Sequence, residues 1–431
     1  MANRSFTVSA RDLGEFDVVV AGGGVAGVAA AVTAARRGSR VLLVEGCGCL
    51  GGALTAGLVL NMSLDREGKG GLVDEFFRFM DARGFSCPRR GALTDGSGKL
   101  IPGGVVSPDG AKVCFDRFCR DAGVTVLFHS HATGVRMEGR KIAELLIGTE
   151  CGAAVARAKL YVDATGNGNL SLAAGCRGEC GHPDDGHPQP ATMGFMMSGL
   201  GFAESTVKKT EYGEALASTG LKLDNRRPCA LRLPDLHNFL IWANYEYDVD
   251  TRDIVSLSRA ALRARLEALE IAEAHRRLPA HRESRLGTIA EHLGIREGYR
   301  IAGLYRLTLD DLLRGARFDD GICPVNFVVD VHKTAAAGDP DTAKRYRVLP
   351  YQIPYRALVP ADADNLLLCG RLLSGDFFAH ASYRVICNMM TVGEAVGFAA
   401  DAVAAEGIAP ARLDGTRVRA FMEERGHRLQ P

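Results

Sequence analysis

Residues 17–45 read DVVVAGGGVAGVAAAVTAARRGSRVLLVE, and the order of their chemistry decides the fold. Phe16–Ala21 is a short, valine-rich apolar run that stops at glycines, the pattern of a strand covered on both faces in a parallel sheet. Val25–Arg37 is alanine-rich and closes on Gly38, as a helix with a C-terminal glycine does. Arg40–Glu45 is a second buried strand. Strand, glycine turn, helix and strand within about 30 residues make a βαβ unit.

Gly22-x-Gly24-x-x-Gly27 alone is a weak signal, because about 0.7 such matches are expected by chance in a chain this rich in glycine. Its context supplies the specificity. Ala31, Ala34, Gly38, Val41 and Glu45 follow at the spacing of an extended dinucleotide fingerprint. In that reading Gly22 permits the tight turn, Gly24 lets the backbone approach a pyrophosphate, and Gly27 lets helix and strand close on each other. Val25, Ala26 and Gly27 begin the helix, whose free N–H groups and partial positive charge face that pyrophosphate. Glu45 can accept hydrogen bonds from both ribose hydroxyls and repels a 2′-phosphate, which disfavours NADP.

A second double glycine, Gly51-Gly52, follows the acid. A plain NAD site has no use for it, whereas a flavin dinucleotide is longer and must thread past another loop of close approach. Two more flexible turns end apolar runs: Asp163-Ala164-Thr165-Gly166 after KLYVDA, and Cys369-Gly370-Arg371 after NLLLC. FAD is therefore the expected cofactor.

Composition bounds the rest. Glycine is 51 of 431 residues, about 12% against roughly 7% in average usage, with no collagen period. The length predicts two or three lobes. Lys and Arg (52) balance Asp and Glu (51), which argues against nucleic acid or an anionic membrane as the main partner. The first residues lack the apolar core of a signal peptide and no run reaches the length of a spanning helix, so a cytoplasmic location is expected. The twelve cysteines contain no C-x-x-C pair and are expected as reduced thiols. Cys47/Cys49 and Cys176/Cys180 are the closer groupings, for which a redox pair or metal site is the other reading. His129-Ser-His131 reads as a strand end, and no metal is expected.

Further strands are predicted at Val124–His129, Lys159–Ala164 and Asn365–Cys369, with a hairpin around Glu138-Gly139 and a long small-residue helix near Val385–Ala405. Between Gly220 and Gly287 there is no glycine. There Ile254–Leu278 predicts an amphipathic helix with Leu257, Ala261, Leu262, Leu266, Leu269 and Ile271 on its apolar face.

Taken together, DVVVAGGGVAGVAAAVTAARRGSRVLLVE, LGGALTAGLV, VDATGNGNLSLAAG, QPATMGF, LGIREGYRIAGLY, IPYRALVP, NLLLCGRLLSGDFFAHASYR and MMTVGEAVGFAA make the chain resemble FAD-dependent oxidoreductases of the glutathione-reductase structural class. It looks closest to bacterial proteins related to the flavoprotein subunit of heterodisulfide reductases, and more distantly to fumarate reductase flavoproteins. The resemblance implies an α/β fold: a Rossmann-type FAD-binding domain with a parallel sheet, formed by residues 1–175 and 345–431, and an inserted α+β substrate (cap) domain over 176–344. It assigns Gly22, Gly24, Val25, Ala26, Gly27, Glu45, Gly51, Gly52, Ala164, Thr165, Gly166, Gly370, Arg371 and Asn388 to FAD, with the helix starting near Arg384–Met390 directed at the flavin pyrimidine.

The expected activity is hydride transfer between a small organic substrate and flavin N5, with His380 or Tyr383 moving the proton and Arg384 neutralising a substrate carboxylate or the flavin. For Arg296, Arg300 and Arg356 two readings stand, site cations or ion pairs joining the lobes. The alternative activity is that of an electron-transfer subunit docking an iron–sulfur partner protein. Two departures from the resemblance matter: no local four-cysteine cluster motif can be assembled, and the C-x-x-x-x-C pair of pyridine nucleotide–disulfide reductases is missing after the double glycine.

Overall fold

The computed structural model describes residues 7–62, 65–88, 104–202, 208–225, 228–235, 237–332, 334 and 346–429. Its main sheet begins with β1 (Ala10–Ala21), β2 (Val41–Val44), β3 (Thr125–Leu127), β4 (Ser130–Glu138), β5 (Lys141–Thr149) and β6 (Gly152–Asp163). A second sheet takes β7 (Phe195–Ser198), β8 (Cys229–Arg232), β9 (Asn238–Trp242) and β10 (Arg285–Ile289), before β11 (Leu366–Leu368) returns to the first. The helices that position the site are α1 (Val25–Arg36), α2 (Ile254–Arg277), α3 (Phe377–Tyr383) and α4 (Ile386–Glu406).

Five strands run parallel in the order β3-β2-β1-β6-β11, and the antiparallel hairpin β4–β5 extends the sheet beside the first half of β6. The register aligns the strand ends. Ala21 lies opposite Val44 and Asp163, and Asp163 lies opposite Leu368. Gly22, Glu45, Ala164 and Cys369 therefore leave the sheet side by side at its carboxyl edge, where open α/β sheets bind ligands.

Side-chain alternation explains why the central strands read as unbroken apolar runs. Val18, Val20, Val41 and Leu43 point to a core shared with α1 and α4, while Val19, Ala21, Leu42 and Val44 point to one shared with Leu145 and Ile147 of β5. α4 packs tightly on α1: a β-carbon at Gly393 would collide with the Ala26 carbonyl, and one at Gly397 with that of Ala30. The small-residue character of α4 is a packing requirement.

The second sheet is antiparallel, in the order β8-β9-β7-β10. α2 covers it with only part of the expected face: Leu257, Ala261 and Ile271 turn inward, and three expected leucines do not. Ala260, Ala264, Ala268, Ile271, Ala272 and Ala274 are buried, while Leu262, Leu266 and Leu269 are 60%, 64% and 45% exposed. Alanines let the helix axis approach the sheet closely, and these three leucines are left on the opposite face. The boundary expected near residue 344 lies outside the described residues. Among the described residues no helix is long and apolar enough to cross a membrane.

Candidate active site

The carboxyl edge is assembled from backbone first. Gly22 turns at φ +103°, and a β-carbon there would press on the Ala164 carbonyl, so the first and third loops touch. The Gly23 N–H donates to Glu45 Oε2 at 2.5 Å and the Cys47 N–H to Glu45 Oε1 at 2.7 Å, fixing the carboxylate at the end of β2. Gly51, at φ +106°, bridges to Gly24, and its N–H donates to the Gly23 carbonyl at 2.8 Å. The double glycine thus lies directly against the first loop. Asp163 is fully buried and accepts from the backbone N–H and hydroxyl of both Thr165 and Ser171, which shapes the third turn.

Three observations make this edge fit FAD. α1 starts at Gly24 with no side chain capping its free N–H groups. A β-carbon on Gly24 would meet nothing within 4 Å, so open space lies beside those groups. Asn388, in the first turn of α4, is fully buried with neither side-chain oxygen nor nitrogen hydrogen-bonded, and the buried Arg371 Nε is also unsatisfied. Buried polar groups are rarely left so. Arg371 otherwise donates to Asn167 Oδ1 at 2.7 Å, and Gly370, at φ +89°, faces Ala26 at the start of α1.

The three expected catalytic residues have different surroundings. Tyr383 is fully buried and donates to the Leu373 carbonyl at 3.0 Å, with its ring against Gly375. His380 is also fully buried, with both ring nitrogens unbonded; burial and then Arg300, Arg384 and Arg371 hold it well below the usual histidine range, hence neutral. Arg384 remains 14% exposed, donates to the Asp330 carbonyl at 2.9 Å, and leaves its buried Nε without a partner.

Arg384 opens onto a recess that sequence reasoning did not assemble. Tyr245 lies with its hydroxyl 2.9 Å from His332 Nδ1, and His332 Nε2 lies 3.2 Å from Asp330 Oδ2. A neutral imidazole satisfies both contacts by accepting at Nδ1 and donating at Nε2. Burial, followed by the charge of Arg296, takes His332 down to about 4. Although burial opposes it, His332 and the arginines hold the Asp330 carboxyl far below the usual range. The Asp330 side chain keeps 43% exposure and His332 24%, so this recess of polar groups stays partly open. Arg296 donates to the Pro190 carbonyl at 2.7 Å and Thr192 Oγ1 at 2.6 Å, and lies 5.5 Å from the Tyr245 ring centroid. The signal that could have pointed here is Asp330-x-His332, two polar residues at strand spacing inside the apolar run FVVDVH.

The other expected cations separate. Arg300 pairs with buried Glu297, three residues away in the same segment, and so joins no lobes, whereas Arg356 holds Asp320, from the other expected segment, through two bonds of 2.9 and 3.1 Å. The twelve cysteines are free. Cys47 Sγ lies 2.9 Å from His292 Nε2, and burial with the Glu45 carboxylate pushes its thiol up, away from reactive thiolate.

Comparison with known proteins agrees with this geometry. The model of the FAD dependent oxidoreductase family matches residues 17–422. Among solved structures, the chain is similar to a geranylgeranyl bacteriochlorophyll reductase-like protein of Thermoplasma acidophilum, at 13% identity and TM-score 0.52, covering 96% of this chain and 84% of that one. It is also similar to p-nitrophenol 4-monooxygenase of Pseudomonas putida, at 13% identity and TM-score 0.50, covering 96% and 87%. At such identities these likenesses show the fold alone. No curated protein matches.

Proposed function

The chain belongs to the FAD dependent oxidoreductase family; it is an oxidoreductase whose cofactor is FAD, and we propose that it moves a hydride between a small organic substrate and N5 of the flavin. The carrying observation is continuity. Asn388, buried and unbonded, stands in the first turn of α4, and Arg384, just before that helix, faces the partly open polar recess around Asp330 and His332. When bound, FAD supplies a two-electron acceptor and donor; the chain supplies binding, orientation and proton transfer.

In this reading Gly22, Gly24, Val25, Ala26, Gly27, Gly51 and Gly52 line the pyrophosphate path, Glu45 the ribose, and Ala164, Thr165, Gly166, Gly370, Arg371 and Asn388 the flavin side. Residues 1–175 and 345–431 form the cofactor lobe, and 176–344 form the lobe that caps it. The positive end of α4 favours negative charge on the bound cofactor. His332 takes the substrate proton at Nδ1 by way of the Tyr245 hydroxyl, which gives its own proton to Nδ1 as it accepts one from substrate. Nε2 already donates to Asp330, whose carboxylate stabilises the imidazolium so formed. His380, neutral and unbonded, is a hydrogen-bond partner for the bound ligand, and Tyr383 ties the end of α3 to the Leu373 carbonyl before that helix.

The test is anaerobic. Purified protein is expected to be yellow, with a visible flavin band that bleaches when the right organic substrate is added. A colourless protein unable to take up FAD sinks the reading. Bleaching by a reduced iron–sulfur protein, with none by any small molecule, replaces it with the electron-transfer reading.

A further inference from the structure

We propose that the recess takes an organic acid, whose carboxylate is held between Arg296 and Arg384 while the rest of the molecule lies against Tyr245 and His332. This rests on the reading of the recess as the substrate side of the flavin and names the class of substrate that enters it.

The first argument is charge. Arg296 donates only to neutral acceptors among the described residues, the Pro190 carbonyl and the Thr192 hydroxyl. Arg384 likewise hydrogen-bonds to neutral oxygens, the Asp330 carbonyl at 2.9 Å and Gln189 Oε1 at 3.4 Å. The nearest acid is Asp330, whose Oδ2 is 3.6 Å from Arg384 and 3.2 Å from His332 Nε2. Two part-buried guanidinium groups thus share one carboxylate, which is also turned to a histidine, while the other acid acting on Arg384, Glu297, is already paired with Arg300. Leaving a buried cation without a counter-charge is costly, and a ligand carboxylate supplies the missing one.

The second argument is geometry. Gln189 and Pro190 are consecutive, and they hold the two arginines side by side through the Gln189 side chain and the Pro190 carbonyl. Gln189 Oε1 also accepts from the His332 backbone N–H at 3.2 Å, tying the histidine to the same pair. Gln189 Nε2 and Arg384 Nε are both buried and unbonded among the described residues. A carboxylate accepts up to about four hydrogen bonds, so one group can satisfy donors from the amide and from both arginines. A neutral ligand would fill the space and leave the excess charge in place.

The experiment uses the holoenzyme in chloride-free buffer at fixed ionic strength. Malonate and succinate are titrated against their uncharged diamides, with binding read by calorimetry and, separately, by perturbation of the flavin absorbance. At least one diacid is expected to bind and the diamides not to. Arg296→Gln is expected to weaken binding by tenfold or more at unchanged FAD content, with Arg296→Lys intermediate. Diamides binding as well as diacids, no heat from either diacid, or unchanged affinity in Arg296→Gln overturns the proposal. Loss of FAD from Arg296→Gln also overturns it, because Arg296 then serves the cofactor. Calorimetric binding with a silent flavin spectrum has a different meaning: the anion site stands, and the placement of the flavin beside it fails.

Discussion

Gly27 lies so close to Gly22 that a β-carbon built on it would overlap the Gly22 carbonyl oxygen, whereas one built on Gly24 would meet nothing within 4 Å. The same sequence motif therefore contains one glycine that the fold requires and one that it does not. Gly27→Ala is expected to cost about 3 kcal/mol or more, or to prevent folding, because backbone must move. Gly24→Ala, at φ −65°, is expected to fold with stability within about 0.5 kcal/mol of wild type and to lose FAD affinity by roughly tenfold or more. Urea unfolding and FAD titration read the two effects separately; equal damage to folding from both would count against the division.

Asn388 gives a sharper test, because its effects on stability and on binding should have opposite signs. Its amide is fully buried and unbonded in the protein alone, a situation that costs about 1–3 kcal/mol. Asn388→Leu, which keeps the branching of the side chain and removes its polar atoms, is expected to stabilise the cofactor-free protein by about 1 kcal/mol and to weaken FAD retention. A destabilised apoprotein with normal FAD affinity would show that Asn388 is structural.

How legible this architecture is from sequence depends on how local the determining contacts are. The βαβ unit is readable because each of its strands is buried on both faces and its turns are made of glycine. The α2 face is not: leucine outranks alanine in hydrophobicity, but the sheet beneath accepts only a close-lying helix, so Ala260, Ala264 and Ala268 go in. The cofactor edge is legible for the same reason as the strands, since its residues sit at strand ends fixed in register. The recess is not, because Gln189, Tyr245, Arg296, His332 and Arg384 come from five separate stretches. Only folding reveals that Arg296 differs from Arg300 and Arg356 in having no hydrogen-bonded carboxylate among the described residues.

Tyr383 is one of the two proton carriers expected from the sequence, and His332 is the carrier proposed from the geometry around Arg384. The Tyr383 hydroxyl is committed to the Leu373 carbonyl, so Tyr383→Phe is expected to cost about 1 kcal/mol of stability and change turnover by less than about twofold. His332→Gln is expected to lower kcat by about a hundredfold or more while FAD content stays normal. Steady-state kinetics with the identified substrate, alongside thermal unfolding, separates the two. A large kcat loss in Tyr383→Phe without loss of stability would restore the tyrosine as the proton carrier.

The helix α2 and the sheet under it should respond to acid through a buried histidine. His275 is fully buried on α2, with Nε2 2.7 Å from the Tyr212 hydroxyl and Nδ1 2.8 Å from the Ile271 carbonyl, and burial takes it down to about 4. In the unfolded chain it titrates near 6.5. The folded state therefore binds fewer protons than the unfolded state between these values, and stability falls as pH drops from 6.5 to 4. The loss is about 3 kcal/mol if the shift is fully expressed. Glu267 on the same helix acts in the opposite sense: burial raises it to about 7, so its contribution declines as pH rises from 4.5 toward 7. The total pH profile mixes the two, and the measurement must be a difference. Urea unfolding of wild type and His275→Gln at pH 7, 5.5 and 4 is expected to show wild type losing its advantage over the variant progressively toward pH 4. A difference that stays constant across that range would mean the folded lobe accommodates a protonated His275.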